Sequence, residues 1–148
     1  VIVEGVTEQD VEDIYTIRKM IEGLAARWAA QKISKKQLKE MKDILDLMEF
    51  YTEKGEIDKV SELDTQFHDV VFRACRSRPL ESVLTNFHHF IQRARLVSIT
   101  TDGRATVALG EHRNIYNALE KRDPDAAEKA MIRHVEKARE NLHPYLNE

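Results

Sequence analysis

The sequence predicts an all-α fold, an antiparallel bundle of about six helices, on three observations. Apolar residues recur at three- and four-residue steps along most of the chain, and no stretch alternates apolar and polar residues as a half-buried strand would. Helix breakers are scarce, with 5 glycines and 3 prolines in 148 residues. Hydrophobic residues make up 42% and charged ones 33%, which gives each helix one face to bury and one to hydrate. A chain of this length can bury a substantial core, so residues 1–148 read as one domain, and short connections make neighbouring helices antiparallel.

Thr7 opens the first helix, with Asp10 three residues on as a variant of the capping box. Val11, Ile14, Tyr15, Ile17, Ile21, Leu24, Ala25 and Trp28 carry its apolar stripe to about Ala30, with Arg18 on the border. Ser34 and Gln37 make a second capping box. Leu38, Met41, Ile44, Leu45, Met48 and Tyr51 then carry a helix that Gly55 can stop, its methionines reading as core filler and Lys35, Lys36, Lys39 and Lys42 as a solvated face. A third helix holds Val60, Leu63, Phe67, Val71 and Ala74 and ends at the break from Arg76 to Pro79. The fourth runs through Leu80, Val83, Leu84, Phe87, Phe90, Ile91, Ala94 and Val97. Arg93 and Arg95 are expected in solvent there, with one of them able to turn toward a pocket. His88 and His89 are adjacent, point about 100° apart and read as surface residues. Thr101, Asp102 and Gly103 turn the chain into a fifth helix from about Ala105 to Lys121. Asp123 and Pro124 then open a sixth, which runs past His134 to Pro144.

Polar residues on three of these stripes carry the functional signal. Asp64 and His68 fall on the edge of the apolar face of the third helix, one turn apart and about 6 Å along the same side, so both can reach one point. His112 shares a stripe with Ile115, Tyr116 and Leu119, and His134 shares one with Ala127, Met131, Ala138 and Leu142. A single histidine on an apolar face usually reads as a core residue bonded to a neighbour. Three of them with an aspartate would leave several unmet polar atoms, each costing about 1–3 kcal/mol, unless they shared a partner such as a divalent metal ion. Mixed imidazole and carboxylate donors suit zinc first, with nickel, manganese, iron or cobalt also compatible.

Composition narrows the partners. Net charge is −3 and no basic cluster interleaved with aromatics occurs, so this chain is not expected to bind DNA by itself. No apolar run approaches the roughly 20 residues that span a bilayer. The single Cys75 reads as a buried thiol and fits a reducing, cytoplasmic setting. The chain begins at Val1 without an initiator methionine, and VIVEG reads as the tail of a connection from something upstream.

Two other readings of the four residues stay open at this point. A metal-dependent hydrolase needs a general base, and Glu111 points about 100° away from His112 while no H-E-x-x-H helix exists. A di-iron enzyme needs two Glu-x-x-His pairs, and only Glu140 with His143 fits. In a structural interaction module the four polar residues would satisfy one another. An enzyme is therefore not expected.

Three segments carry a resemblance to a known family. IYTIRKMIEGLAARWAA, DTQFHDVVFRACRSRPL and GEHRNIYNALEKRDPDAAEKAMIRHV together resemble, in order and spacing, the ligand-sensing C-terminal (FCD) domain of FadR-type regulators in the GntR superfamily of bacterial transcription factors. The resemblance covers nearly the whole chain. It implies an effector-sensing domain, and in the metal-binding branch of that family one aspartate and three histidines hold a divalent ion. Carried over position by position they fall on Asp64, His68, His112 and His134. Family members also carry an N-terminal winged helix-turn-helix, so the resemblance implies operator DNA as a partner of a dimeric parent protein through a segment not in this chain. Three neutral imidazoles and one carboxylate around a divalent ion leave a net charge of about +1 with open coordination positions, which suits a small organic acid as effector. Arg18 is the candidate second anchor for that acid, an ion pair with Glu22 four residues along being its alternative role.

Overall fold

The structure, a computed structural model, describes residues 7–142. Seven helices account for the regular structure of that span: α1 (Glu8–Lys32), α2 (Lys35–Lys54), α3 (Ile57–Ala74), α4 (Arg78–Asn86), α5 (His88–Ile99), α6 (Arg104–Glu120) and α7 (Pro124–Glu140). The all-α expectation stands. The expected helix end at Pro144, the VIVEG segment and His143 lie outside the described residues.

The helix starts follow from local chemistry. Thr7 Oγ1 accepts from Asp10 N at 3.0 Å while Asp10 Oδ2 accepts from Thr7 N at 2.9 Å, and Ser34 with Gln37 forms the same reciprocal pair. Asp123 Oδ1 accepts from Ala126 N ahead of Pro124 in the first turn of α7. Gly55 stops α2 in the left-handed conformation at φ 72°, which a residue with a Cβ adopts only at a cost.

The expected fourth helix is in fact two. Phe87 sits at φ −91° and ψ 0°, closing α4 through its N–H to Val83 O and opening α5 with no side-chain cap. Thr85, Asn86, Phe87, His88 and His89 are all weak helix formers, so little local preference resists a break there. The break changes which residues face inward. Leu80, Leu84, Ile91 and Ile99 are buried, whereas Val83 and Phe90, expected on the stripe, are exposed, as are His88 and His89.

Ion pairs fix the order of the helices. Arg27 pairs with Asp125 and Glu128, Lys19 with Glu136, and Glu12 with Arg139, so positions rising along α1 meet positions falling along α7 and the two are antiparallel. Between them and α2, α3 and α6 lies the main core, in which Phe67, Met41, Leu45, Met48, Ile115, Leu119 and Met131 are fully buried. Each such side chain contributes about 1.5–3 kcal/mol of burial free energy. Cys75 is a core thiol, as expected, its Sγ donating to Phe72 O at 3.0 Å.

Gly23 sets the approach of α1 to α7. A Cβ placed there would lie 3.0 Å from Ile132 Cγ1 and 3.5 Å from Glu128 Cγ. Gly23→Val should therefore force the two helices apart and lower stability by about 1–3 kcal/mol, read as a reduced midpoint in urea unfolding, despite the better helix propensity of valine.

Candidate metal centre

Helices far apart in sequence meet in the middle of the bundle. Asp64 and His68 face inward from α3, His112 from α6 and His134 from α7, all buried. One donor atom from each lies within 4.8 Å of the other three. His112 Nε2 and His68 Nε2 stand 2.9 Å and 3.5 Å from Asp64 Oδ1, and the Nε2 atoms of His68 and His134 are 3.3 Å apart. Donors bonded to one ion at about 2.0–2.1 Å are separated by about 3.3–3.4 Å in a tetrahedron and about 2.9 Å along an octahedral edge. The three separations are of that size.

The hydrogen bonding also fits a cation. His112 Nε2 is near Asp64 but off the line a hydrogen bond requires, and both ring nitrogens of His112 lack a hydrogen-bond partner. Glu111 Oε1 lies 2.7 Å from His134 Nδ1, which assigns the proton to Nδ1 and leaves the Nε2 lone pair pointing inward. Glu22 Oε1 lies 3.5 Å from His68 Nδ1, an ion-pair contact that leaves this nitrogen without a hydrogen-bond partner. The Nε2 atoms of His68 and His134 face each other across 3.3 Å, close enough to share either a proton or a cation between them.

The electrostatics keep the donors in their ligating forms. Burial pushes His112 below the usual histidine range and His134 down to about 3, the carboxylates beside them offsetting only part of that. Burial works to raise Asp64, but His68 and His112 alongside hold it well below the usual carboxylate range. Glu111 is likewise held down at about 2, because His134 and Arg104 outweigh its own burial.

A narrow cleft adjoins two of the four donors, Asp64 and His134, and is lined also by Arg18, Arg95, Ser98 and Arg104 among others. About 10 Å³ within it is open to the centre of a water-sized body, which is room for about one water. Arg18 is fully buried and its Nε donates to Glu22 Oε2 at 2.6 Å, so the ion pair considered as its alternative role is present. Arg18 Nη1 and Nη2 nevertheless have no partner. Arg95 Nη2 donates to Glu22 Oε1 at 3.0 Å, and Arg95 Nε has none. Arg104 is fully engaged, with Nη1 and Nη2 on the two oxygens of Glu111 at 2.5 and 2.6 Å and Nε on Ser98 Oγ at 3.3 Å.

A model of the FCD domain matches residues 13–137. The chain belongs to the FCD domain family. This FCD domain is 27% identical over 147 residues to YdhC of Bacillus subtilis strain 168, described as an uncharacterized HTH-type transcriptional regulator, a match covering 99% of this chain and 66% of that protein. It is 29% identical over 126 residues to the HTH-type transcriptional repressor RspR of Escherichia coli K12, covering 85% of this chain and 55% of the repressor. The chain thus spans between about half and two thirds of the length of these curated relatives, which are transcription regulators rather than enzymes. The E. coli McbR/YncC structure shares the fold with a TM-score of 0.83 at 14% identity, covering 95% of this chain and 67% of that one.

The FCD fold thus brings together the four donors named from sequence, with Arg18 on the adjoining cleft. It also recruits residues the sequence reading set aside. Arg95 is buried, the one of the two arginines on that stretch that turns toward a pocket, while Arg93 stays exposed. Glu111 does point away from His112, yet that direction carries it to His134 on α7. Glu22 was visible only as a neighbour of Arg18. Its signal was the i, i+4 spacing of two charged residues at the edge of an apolar stripe.

These shifts set a pH dependence for the metal-free domain. In the unfolded chain His134 takes up a proton near pH 6.5, whereas in the folded one it resists down to about 3. The unfolded state therefore binds more protons across that window, and stability falls as pH drops from 6.5. Denaturant unfolding in the presence of a chelator should lose about 1.4 kcal/mol per pH unit for such a histidine, with Asp64, Glu22 and Glu111 adding loss of the same sign at lower pH. A flat profile between pH 6.5 and 4 is the contrary result.

Proposed function

We propose that this FCD domain is the effector sensor of a transcription regulator, in which Asp64, His68, His112 and His134 hold a divalent ion and a small organic carboxylate binds beside it. The observation that carries the reading is the convergence of four buried donors at one edge of a cleft in which Arg18 keeps two donors unpartnered. A divalent ion there, zinc in the first instance, supplies a Lewis-acid locus for a carboxylate. Arg18 supplies a planar pair of N–H donors suited to a second interaction with the same guest. Glu111 orients the ring of His134 and holds its proton on Nδ1, and Glu22 stands beside the ring of His68. Operator binding belongs to a helix-turn-helix elsewhere in a parent protein, acting as a homodimer. The HTH-type names of the relatives support that assignment.

The hydrolase reading loses ground on one further point. Glu111, the carboxylate nearest the site beyond Asp64, has both oxygens taken by Arg104 and meets His134 at Nδ1, the nitrogen facing away from the other donors. It is badly placed to take a proton from a water at the donor cluster. Among the described residues no helix is long and apolar enough to cross a membrane.

Mass spectrometry of the protein released from its native state should report one divalent ion per chain. His112→Ala and His134→Ala should each lose that ion, with a melting temperature lower by about 5–10 °C when the metal is near 100 times its Kd. Stabilisation of the wild-type domain by a small acid should vanish on chelation and in Arg18→Lys, which keeps a charge toward Glu22 but lacks the paired Nη donors. Stoichiometric metal in both histidine variants would sink the ligand assignment, and a guest indifferent to Arg18→Lys would remove that arginine from the site.

A further inference from the structure

Three guanidinium groups reach the cleft beside the donor cluster, and their hydrogen bonds are unequal. All three bonding nitrogens of Arg104 have partners, and its charge is answered by Glu111. Arg18 and Arg95 share the single carboxylate of Glu22. Two always-charged groups thus face one anion, and Arg18 Nη1, Arg18 Nη2 and Arg95 Nε are buried with no hydrogen-bond partner, the Arg18 guanidinium lying over the Tyr15 ring and that of Arg95 over Phe72. Leaving such donors unmet is costly, more so on a charged group.

A second surplus of positive charge belongs to the metal end, where a divalent ion would face one carboxylate, Asp64, and neutral imidazoles. The two surpluses lie on opposite sides of the His68 ring, whose Nδ1 faces Glu22 and whose Nε2 faces Asp64. A guest with one anionic group answers one of them. A guest with two answers both.

We propose that the effector is a diacid, one carboxylate directed to the metal and the second gripped jointly by Arg18 on α1 and Arg95 on α5. This inference rests on the effector-sensing function proposed above and narrows it to a class of guest. Arg95 is then a specificity residue, since it contributes to the second anionic group and nothing to the first. Room for the guest comes from α5. That helix buries only Ile91, Arg95, Ser98 and Ile99, and on its other flank lies a groove of about 220 Å³ that Arg95 also lines. An outward shift of α5 needs little apolar surface to be uncovered, and a diacid held across Arg18 and Arg95 would fix the shifted position.

The test is calorimetric titration of the metal-loaded domain with straight-chain diacids from three to six carbons, each against the monoacid of equal length. At least one diacid should bind tenfold or more tightly than its matched monoacid. Arg95→Gln should shrink that gap below threefold, with the helical circular dichroism and the metal content of the variant reporting that it is folded and loaded. Arg95→Lys, which keeps a charge toward Glu22, should narrow the gap by at least threefold. Equal binding of every matched pair, or a gap that survives both substitutions, overturns the diacid inference and leaves the sensor reading standing. No binding by either class overturns both.

Discussion

Charge placed in the centre of a helical bundle has to be answered within a few ångströms, because no solvent is at hand to do it. This constraint organises the domain. A string of contacts runs from Arg95 on α5 through Glu22 on α1 to His68 on α3, passes the Asp64, His112 and His134 cluster, and continues through Glu111 and Arg104 on α6 to Ser98, back on α5. Five helices are thereby tied by polar groups alone. Buried ion pairs of this sort add little net stability, since desolvation offsets most of the attraction. The apolar shell of Phe67, Met41, Ile115 and Met131 supplies the folding free energy, and the polar string specifies how the helices are arranged around it.

Much of this was legible in the sequence, and the misplaced side chains share a cause. Helical periodicity reports where a Cβ points, so short side chains such as Asp64 and His68 were placed correctly from their positions in a stripe. Long side chains escape that logic. Arg95 and Glu111 leave their helices at the edge of the buried face, and three or four rotatable bonds carry their heads to partners on other helices. A rule that assigns charged edge residues to solvent misses them unless a partner is already in view, as Glu22 was for Arg18. The break at Phe87 was missed for a different reason. No proline or glycine marks it, and a run of individually tolerable residues from Thr85 to His89 is enough.

The walls around the centre differ in how firmly they are held. The α1 and α7 pair is locked by the close approach at Gly23 and by ion pairs along its length, while α5 is joined at one end to an uncapped break and buries the polar Arg95 and Ser98 beside Ile91 and Ile99. Rigid walls preserve the spacing of the donors. The yielding wall carries Arg95, so a contact made in the cleft is felt first by the helix with least to lose in moving.

The pairing of the first helix with the last has a consequence for how the domain is made. The side of α1 that carries Glu12, Lys19, Gly23 and Arg27 packs against α7. A ribosome finishing α1 at Lys32 must add more than a hundred residues before α7 ends at Glu140, which takes roughly 5–20 s at about 5–20 residues per second. Through that interval this side of α1 has no native cover, whereas the side that carries Arg18 and Glu22 can already meet His68 on α3 and Arg95 on α5. Shortening the delay by permuting the chain so that α7 precedes α1 is geometrically open, since Glu12 and Arg139 already touch.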